Sequence, residues 1–212
     1  MTEPAYLRDT RHGYDAFAEE YAENVQTRLA DRPLSRAMLA AFADLVRDAG
    51  PVADIGCGPG PTTAHLHDLG VDVTGIDLSP RMLAIARRTH PHLRFTEGTM
   101  TALDLPDGAL AGICAWYSLI HIPPPHQPAV LAEFHRALAP GGHLLLAFQI
   151  GDTVRHYDDA FGHAVSLDFH RLSPDTLTGH LQAAGFDVRA RMVREPNADE
   201  QHRQGVLIAR RA

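Results

Sequence analysis

The sequence predicts an α/β fold in which helices cover both faces of a parallel sheet, and three observations indicate it. A short apolar strand at Val52–Ile55 breaks into a glycine-rich turn that leads directly into a helix. A second predicted strand, residues 71–77, ends in an acidic residue. Residues 111–116 are continuously apolar, as strands are when both faces of a parallel sheet are covered.

Two helices are predicted before the first strand. Apolar residues recur at helical spacing over residues 14–30, after which Pro33 interrupts the pattern, and again over residues 34–49. Gly50 and Pro51 then form a typical helix stop.

The turn after the first strand carries glycines at alternate positions, Gly56, Gly58 and Gly60. Glycine lets the backbone approach a ligand closely because it has no Cβ and adopts positive φ at little cost. The N-terminus of the following helix presents unpaired N–H groups at the same point. The turn therefore predicts a cofactor with a polar or anionic group.

The spacing of these glycines disfavours a nicotinamide dinucleotide. That class of site uses G-x-G-x-x-G, and Pro61 stands where its third glycine would be. Asp54, inside the strand, would repel a pyrophosphate but could accept from an ammonium, directly or through water. A ligand that carries both a cation and a carboxylate fits better.

The second strand ends at Asp77, at about the interval from the glycine turn at which an acid reaches a ribose diol. Ser79 and Pro80 then begin a helix as its N-cap and first residue. A third strand is predicted near residues 93–95.

The fourth strand, residues 111–116, leads into a dense group of aromatic and polar residues. Ligands in open α/β sheets lie beyond the carboxyl ends of the strands, so Trp116, Tyr117 and His121 should face the site. His121 is the candidate general base or substrate orienter because imidazole titrates near neutrality, and Tyr117 is the second catalytic candidate. The alternative for His121 is a hydrogen bond to a loop carbonyl.

The remaining elements complete seven strands. A helix over residues 127–138 and a turn at 140–142 precede a fifth strand, residues 143–150. A helix follows from Ser173 to Gly185, and two closing strands follow at residues 186–193 and 205–209.

Two runs, DIGCGPG at residues 54–60 and GIDLSPRML at residues 75–83, together resemble class I S-adenosylmethionine-dependent methyltransferases, and most closely their small type 11 or UbiE-like branch. EFHRALAPGG at residues 133–142 and AGF at residues 184–186 fall where that family places its later helix turns. The resemblance implies a Rossmann-like, doubly wound, seven-stranded, mostly parallel sheet with an antiparallel final strand.

We expect one domain over residues 1–212. Residues 1–50 would be N-terminal helices that cover the site, and residues 51–150 the cofactor-binding core. Residues 151–172 would form a substrate lid with strand character near 165–169, although a polar surface loop is the alternative. Residues 173–212 would be the closing helix and strands.

The resemblance also implies site residues. Those expected to hold S-adenosylmethionine, and its product S-adenosylhomocysteine, are Asp54, Gly56, Gly58, Gly60, Asp77, Leu78, Met82, Thr99, Met100 and Trp116. Those expected to contact the acceptor are Tyr14, Tyr21, Phe148, Gln149, His156 and Tyr157. Thr99 stands where the family usually has an acid. The alternative for Tyr14 and Tyr21 is packing with solvated hydroxyls.

Composition limits the other classes of function. The chain has 212 residues, a net charge of −7 and scattered arginines, which argues against a nucleic-acid partner. It lacks an apolar run long enough to cross a membrane, and the start at Met1 lacks a signal-peptide pattern, so we expect a cytoplasmic protein, monomer or homodimer. Two cysteines give no disulfide framework, and the 14 histidines lack metal-site spacing, so no metal is expected.

The resemblance implies methyl transfer from S-adenosylmethionine to a small-molecule acceptor, and we expect the accepting atom to be oxygen or nitrogen. The alternatives are transfer to carbon and a catalytically silent protein that only binds S-adenosylmethionine. An NAD(P)-dependent oxidoreductase is the reading that the glycine spacing disfavours.

Overall fold

The computed structural model describes residues 3–26 and 29–212. The helix expected over residues 14–30 is instead two helices, α1 (Ala5–Ala16) and α2 (Ala18–Val25), and residues 27 and 28 of that expectation lie outside the described part. The chain leaves helical geometry at Phe17, whose φ is −116° and ψ 30°, and the buried Phe17 ring packs against Tyr14 and Phe161. Helix α3 (Pro33–Val46) follows.

Seven strands form one sheet in the order β3-β2-β1-β4-β5-β9-β8. Their bounds are β1 Val52–Ile55, β2 Val73–Asp77, β3 Arg94–Glu97, β4 Leu110–Trp116, β5 Leu138–Gln149, β8 Phe186–Arg194 and β9 Gln204–Arg211. All run parallel except β9, which is antiparallel to both of its neighbours. The expected doubly wound sheet with an antiparallel final strand is thus confirmed.

Helices cover both faces of this sheet, as expected. They include α4 (Pro61–Asp68), α5 (Pro80–Thr89), α6 (Gln127–Ala137) and α7 (Pro174–Ala183). Strand side chains alternate between the faces, so Ile113 packs in the cluster that contains α6 and α7, and Cys114 packs in the cluster that contains α3 and α4. Strand β5 begins at Leu138 rather than at residue 143, because Leu138 already pairs with Leu110 of β4.

The turn from β1 to α4 requires glycine. Gly56 has a φ of 75°, and a Cβ there would lie 2.9 Å from Ser118 Oγ. Gly60 has a φ of 92° as the residue before α4, and a Cβ there would lie 2.9 Å from the ring of Phe95. These two positions set the path of the loop past the end of β1.

The segment expected to be a lid is a separate two-stranded antiparallel sheet, β6 (Val154–Ala160) and β7 (His163–His170). Its tight turn has positive φ at Phe161 and Gly162. The buried side chain of Leu167 lies so close to α1 that a Cβ on Gly13 would be 2.7 Å from it. The hairpin is thereby packed on the N-terminal helices.

Candidate functional site

A cleft opens at the carboxyl ends of β1, β2 and β4. The order of the sheet reverses between β1 and β4, which is where open α/β sheets bind ligands. Its lining residues are Leu7, Thr10, Tyr14, Tyr21, Ile55, Gly56, Gly58, Asp77, Leu78, Met82, Gly98, Thr99, Met100, Trp116, Tyr117, Ser118, His121 and Ile122.

The structure brings together most of the residues that the sequence suggested. From the cofactor set the cleft includes Gly56, Gly58, Asp77, Leu78, Met82, Thr99, Met100 and Trp116. Both catalytic candidates, Tyr117 and His121, line it as well, together with Tyr14 and Tyr21 from the acceptor set.

Asp77 is held at the edge of the glycine turn by two backbone hydrogen bonds. Its Oδ2 accepts from the Gly58 N–H at 2.7 Å, and its Oδ1 accepts from the Ser79 N–H at 2.8 Å. Burial raises the pKa of this carboxyl, and the backbone hydrogen bonds oppose that shift. Each carboxylate oxygen has further lone pairs, so Asp77 could also accept from a ligand hydroxyl.

Asp54 and Gly60 lie behind the loop rather than in the cleft. The Asp54 side chain is 1% exposed, and its Oδ2 accepts from the Thr63 hydroxyl at 2.6 Å. Burial raises the pKa of Asp54 to about 7, although hydrogen bonds from Thr63 and Cys114 favour the charged form. The expectation of a direct contact between Asp54 and a cofactor ammonium is therefore corrected, whereas a contact through water remains a prediction.

His121 is the most constrained of the candidate catalytic groups. Its Nδ1 lies 3.1 Å from the Asp168 carbonyl oxygen, and its Nε2 lies 2.8 Å from the Tyr14 hydroxyl. A carbonyl only accepts, so Nδ1 carries the proton and Nε2 accepts from the Tyr14 O–H. Burial lowers the pKa of His121 to about 4, so its imidazole is neutral at pH 7.

Tyr117 has an unusual backbone conformation, and its ionisation is influenced by Arg194. Its φ is 57°, a left-handed conformation that costs a non-glycine residue about 1 kcal/mol or more. Arg194, which favours the ionised form of Tyr117, pairs with Glu200 at 2.6 and 2.7 Å. Burial raises the pKa of Tyr117 to about 12, so its hydroxyl stays protonated at pH 7 and is not available as a phenolate base.

Four acceptor residues expected from the sequence do not line the cleft, and this corrects their assignment. Phe148 is fully buried in the core, and Gln149 pairs with Gln204 across the sheet. His156 lies on the exposed side of the hairpin, with its Nδ1 2.7 Å from the Asp168 carboxylate. The Tyr157 ring packs against Phe169 at 5.2 Å and under the Arg155 guanidinium at 4.6 Å.

Sequence reasoning identified Tyr14 of α1 as part of the site but missed Leu7 and Thr10 of the same helix. Leu7 and Thr10 precede Tyr14 at the spacing of one helix face, which was the available signal. The other residues missed were Ile55, Gly98, Ser118 and Ile122. The Ser118 hydroxyl donates to the Ile55 carbonyl at 2.7 Å, which ties the end of β4 to the end of β1.

Helix α1 is held across the cleft by side-chain hydrogen bonds to both halves of the cleft. The Arg11 side chain donates to the Leu78 carbonyl at 3.3 Å, and the Ser79 hydroxyl donates to Asp15 at 2.5 Å. The Tyr14 bond to His121 lies on the other side. Helix α1 therefore connects the predicted cofactor half of the cleft with the hairpin half.

Within residues 3–26 and 29–212, no group of three or more His, Cys, Asp or Glu side chains could hold a metal ion. No helix in the same part of the chain is long and apolar enough to cross a membrane.

The sheet order, the glycine turn and the acid at the end of β2 resemble those of class I S-adenosylmethionine-dependent methyltransferases. Residues 52–142 match a family described as a methyltransferase domain. The match covers β1 to the start of β5, which is the half of the fold that carries the glycine turn.

Three particular proteins illustrate the likeness. The demethylmenaquinone methyltransferase of Beutenbergia cavernae is 34% identical over 136 residues, covering 63% of this chain and 55% of the relative. The trans-aconitate 2-methyltransferase of Rhizobium meliloti is 37% identical over 142 residues, covering 65% of this chain and 50% of the relative. The chain thus spans about half the length of these curated relatives.

The third is a crystal structure of Burkholderia thailandensis 1,6-didemethyltoxoflavin-N1-methyltransferase with 1,6-didemethyltoxoflavin and S-adenosylhomocysteine bound. It superimposes with a TM-score of 0.76 at 23% identity, covering 100% of this chain and 91% of the other. At this identity the likeness shows the fold alone.

Proposed function

We propose that this chain transfers the methyl group of S-adenosylmethionine to an oxygen or nitrogen atom of a small-molecule acceptor. The observation that carries the proposal is the position of Asp77, whose carboxylate is anchored to the Gly58 and Ser79 amides inside the cleft. That arrangement places a hydrogen-bond acceptor beside a glycine-rich loop whose backbone a ligand can approach closely. It suits a cofactor with a ribose diol next to a zwitterionic end.

The residues of the cleft fit the parts of this cofactor. Asp77 would accept from the ribose hydroxyls, and the backbone of Gly56 and Gly58 would lie against the methionine end. The adenine would pack among apolar and hydroxyl side chains, namely Leu78, Met82, Thr99 and Met100. Trp116 would complete this half of the cleft.

The bound cofactor supplies an electrophilic methyl group on a sulfonium. The chain contributes orientation, because a methyl transfer in line requires the acceptor and the donor to be held at a fixed distance and angle. It also contributes a proton acceptor, because His121 is neutral at pH 7 and has its Nε2 lone pair directed to Tyr14. An acceptor that starts as O–H or N–H would lose its proton by this route.

We also propose that the hairpin of residues 151–172 is the substrate lid of a single domain. Strand β7 packs on α1 through Leu167, and its Asp168 carbonyl holds the His121 ring. The hairpin therefore contacts residues of the acceptor half of the cleft rather than the glycine turn. The relatives named above act on chemically different acceptors, so the identity of the acceptor is a separate question.

Thermal unfolding with ligands tests the proposed cofactor. S-adenosylmethionine, S-adenosylhomocysteine, NADH and NADPH are each added at about 100 times the expected dissociation constant, which adds about 2.7 kcal/mol to the stability of a protein that binds. For a domain of this size the midpoint should rise by roughly 5 to 10 °C with the adenosyl compounds alone. A rise with the nicotinamides alone would overturn the proposal.

A second measurement separates an enzyme from a protein that only binds the cofactor. The release of S-adenosylhomocysteine is followed with a broad panel of small alcohols, phenols, amines and carboxylates. Product release with any of them supports methyl transfer. Tight binding of S-adenosylmethionine without product from any acceptor, in the presence of a folded protein, would favour the silent alternative.

A further inference from the structure

The acceptor half of the cleft contains a directed hydrogen-bond chain that runs from Tyr14 through His121 to the backbone of β7. The Asp168 carbonyl can only accept, so the His121 Nδ1 donates to it over 3.1 Å. The Nε2 lone pair must then accept the Tyr14 O–H, at 2.8 Å. Because Tyr14 occupies the Nε2 lone pair, an acceptor molecule in the cleft can hydrogen-bond to the Tyr14 oxygen but not directly to Nε2.

The surroundings of His121 keep the imidazole uncharged. Its side chain is buried, and the Phe169 ring lies edge-on at 4.7 Å. The titratable groups that face it are Tyr14 of α1 and, from β7, Asp168 and His170. His170 disfavours a positive charge on His121. The Asp168 carboxylate is hydrogen-bonded to His156 and favours that charge only weakly. A neutral imidazole can receive a proton at Nε2 when Tyr14 releases one.

Aromatic rings line the same half of the cleft. Tyr14 and Tyr21 meet edge to face at 5.3 Å, and Tyr117 meets Trp116 of the cofactor half edge to face at 5.6 Å. Among the described residues that line the cleft none is lysine or arginine, and Asp77, on the cofactor side, is the charged one. A carboxylate buried against such a wall would lose its hydration without gaining a cation, whereas a flat aromatic ring would pack well.

From this geometry we propose that the acceptor is an aromatic hydroxyl compound whose proton leaves through Tyr14 to His121. The proposal rests on the proposed function and names the acceptor class of that same cleft. The hydroxyl oxygen of Tyr14 accepts from the acceptor O–H while its own proton passes to His121 Nε2, since a hydroxyl both donates and accepts. Tyr14 is the catalytic residue and His121 acts through it.

The step balances without any further reactant. The acceptor oxygen bonds to the methyl carbon as the carbon–sulfur bond breaks with both electrons left on sulfur. The acceptor proton moves to the Tyr14 oxygen, and the Tyr14 proton moves to His121. The products are an aryl methyl ether, a neutral thioether and an imidazolium, which returns its proton to solvent. A weak base suffices because an oxygen that is gaining a methyl group becomes strongly acidic.

The acceptor class is tested with matched ring compounds. The full chain and S-adenosylmethionine are incubated with one-ring and two-ring phenols, with the corresponding saturated alcohols, and with the corresponding aryl carboxylates. We expect S-adenosylhomocysteine release from a phenol at least about ten times faster than from its two matched compounds. Preference for a carboxylate or saturated alcohol, or no turnover of any phenol by protein that binds S-adenosylmethionine, would overturn the proposal. Failure to bind S-adenosylmethionine would instead overturn the proposed function.

The proton route is tested with Tyr14→Phe on two phenols of different acidity. At about pH 8.5 phenol itself is protonated because its pKa is about 10, whereas para-nitrophenol is mostly ionised. The variant should lose about 100-fold or more in turnover of phenol but little with para-nitrophenol, which needs no base. Its affinity for S-adenosylhomocysteine should be unchanged.

Two further variants make this result decisive. Tyr6→Phe removes a hydroxyl from the same helix outside the cleft lining, where Tyr6 stacks on His126 at 5.1 Å, and it should leave both rates unchanged. His121→Gln should reproduce the selective loss with phenol. Equal losses with both phenols in Tyr14→Phe and His121→Gln would show a structural role and contradict the relay.

Discussion

Replacement of Asp77 by asparagine is the sharpest test of the cofactor half of the cleft. The two oxygens of this carboxylate accept from the Gly58 and Ser79 amides at 2.7 and 2.8 Å. Asparagine has one oxygen and one amide nitrogen, so one of these two backbone donors would face another donor. The variant removes both the charge that would bind the ribose and part of the support for the loop.

The expected size of the effect follows from those bonds. A hydrogen bond to a charged group contributes about 1.5 to 3 kcal/mol. Loss of one such bond to the ribose corresponds to an affinity for S-adenosylhomocysteine that is about 10- to 150-fold weaker. Titration calorimetry of the wild type and of Asp77→Asn measures this ratio directly.

A matched control excludes a general effect of removing an acid from this strand. Asp72 immediately precedes β2, and its exposed carboxylate pairs with Arg94 away from the cleft. Asp72→Asn should bind S-adenosylhomocysteine as the wild type does. An Asp77→Asn affinity within about twofold of the wild type would refute the ribose assignment, as would an equal loss in both variants.

The remaining predictions concern stability. Gly56→Ala and Gly70→Ala both place alanine at positive φ, but only the first collides with Ser118, so it should lower the free energy of unfolding by about 2 kcal/mol more in chemical denaturation. The pKa of His121 is lowered from 6.5 to about 4, so the unfolded chain takes up its proton first as the pH falls. The free energy of unfolding should therefore fall by about 3 kcal/mol between pH 6.5 and 4 because of His121, and His121→Asn should remove this fall. If the free energy of unfolding of His121→Asn falls as steeply with pH as that of the wild type, the burial argument is contradicted. The pKa of Asp54 is raised from 3.8 to about 7, so its contribution is present below the lower value and is lost as the pH rises to the upper. Asp54→Asn should thus gain stability relative to the wild type as the pH rises from 3.8 to about 7. Free energies of unfolding that run parallel with pH in the two proteins would contradict this.

The cofactor half of the site could be predicted because its signals are local. The glycine turn and Asp77 each follow a strand directly, and parallel strands end at one edge of the sheet, so proximity in space follows from the order of elements. Gly56 shows the limit of this reasoning even there. Its need for glycine comes from Ser118, which is 62 positions later in the chain and meets it only after folding.

The contacts within the acceptor half could not be predicted, because they join distant segments, although several of its residues were named from the sequence. Tyr14 and His121 are 107 positions apart, and His121 and Asp168 are 47 apart. No spacing rule links them, so the sequence offered two separate candidates and no relation between them. The hairpin that supplies Asp168 pairs over both its strands, beyond the strand character expected near residues 165–169.

Side-chain direction was the other source of error. Residues at the carboxyl end of a strand alternate between faces, and Phe148 points into the core at a position where the sequence alone allowed either side. Asp54 was likewise expected to reach the ligand, but its hydrogen bond to Thr63 keeps it behind the loop. In both cases the strand was correctly predicted, and the direction of the side chain depended on packing.

The most direct test of the central claim is a crystal structure of the chain with S-adenosylhomocysteine. We expect the ribose hydroxyls on the Asp77 carboxylate, the amino acid end along Gly56 and Gly58, and the sulfur facing Tyr14. A ligand bound elsewhere, or one in the cleft with its ribose away from Asp77, would contradict the assignment of this site.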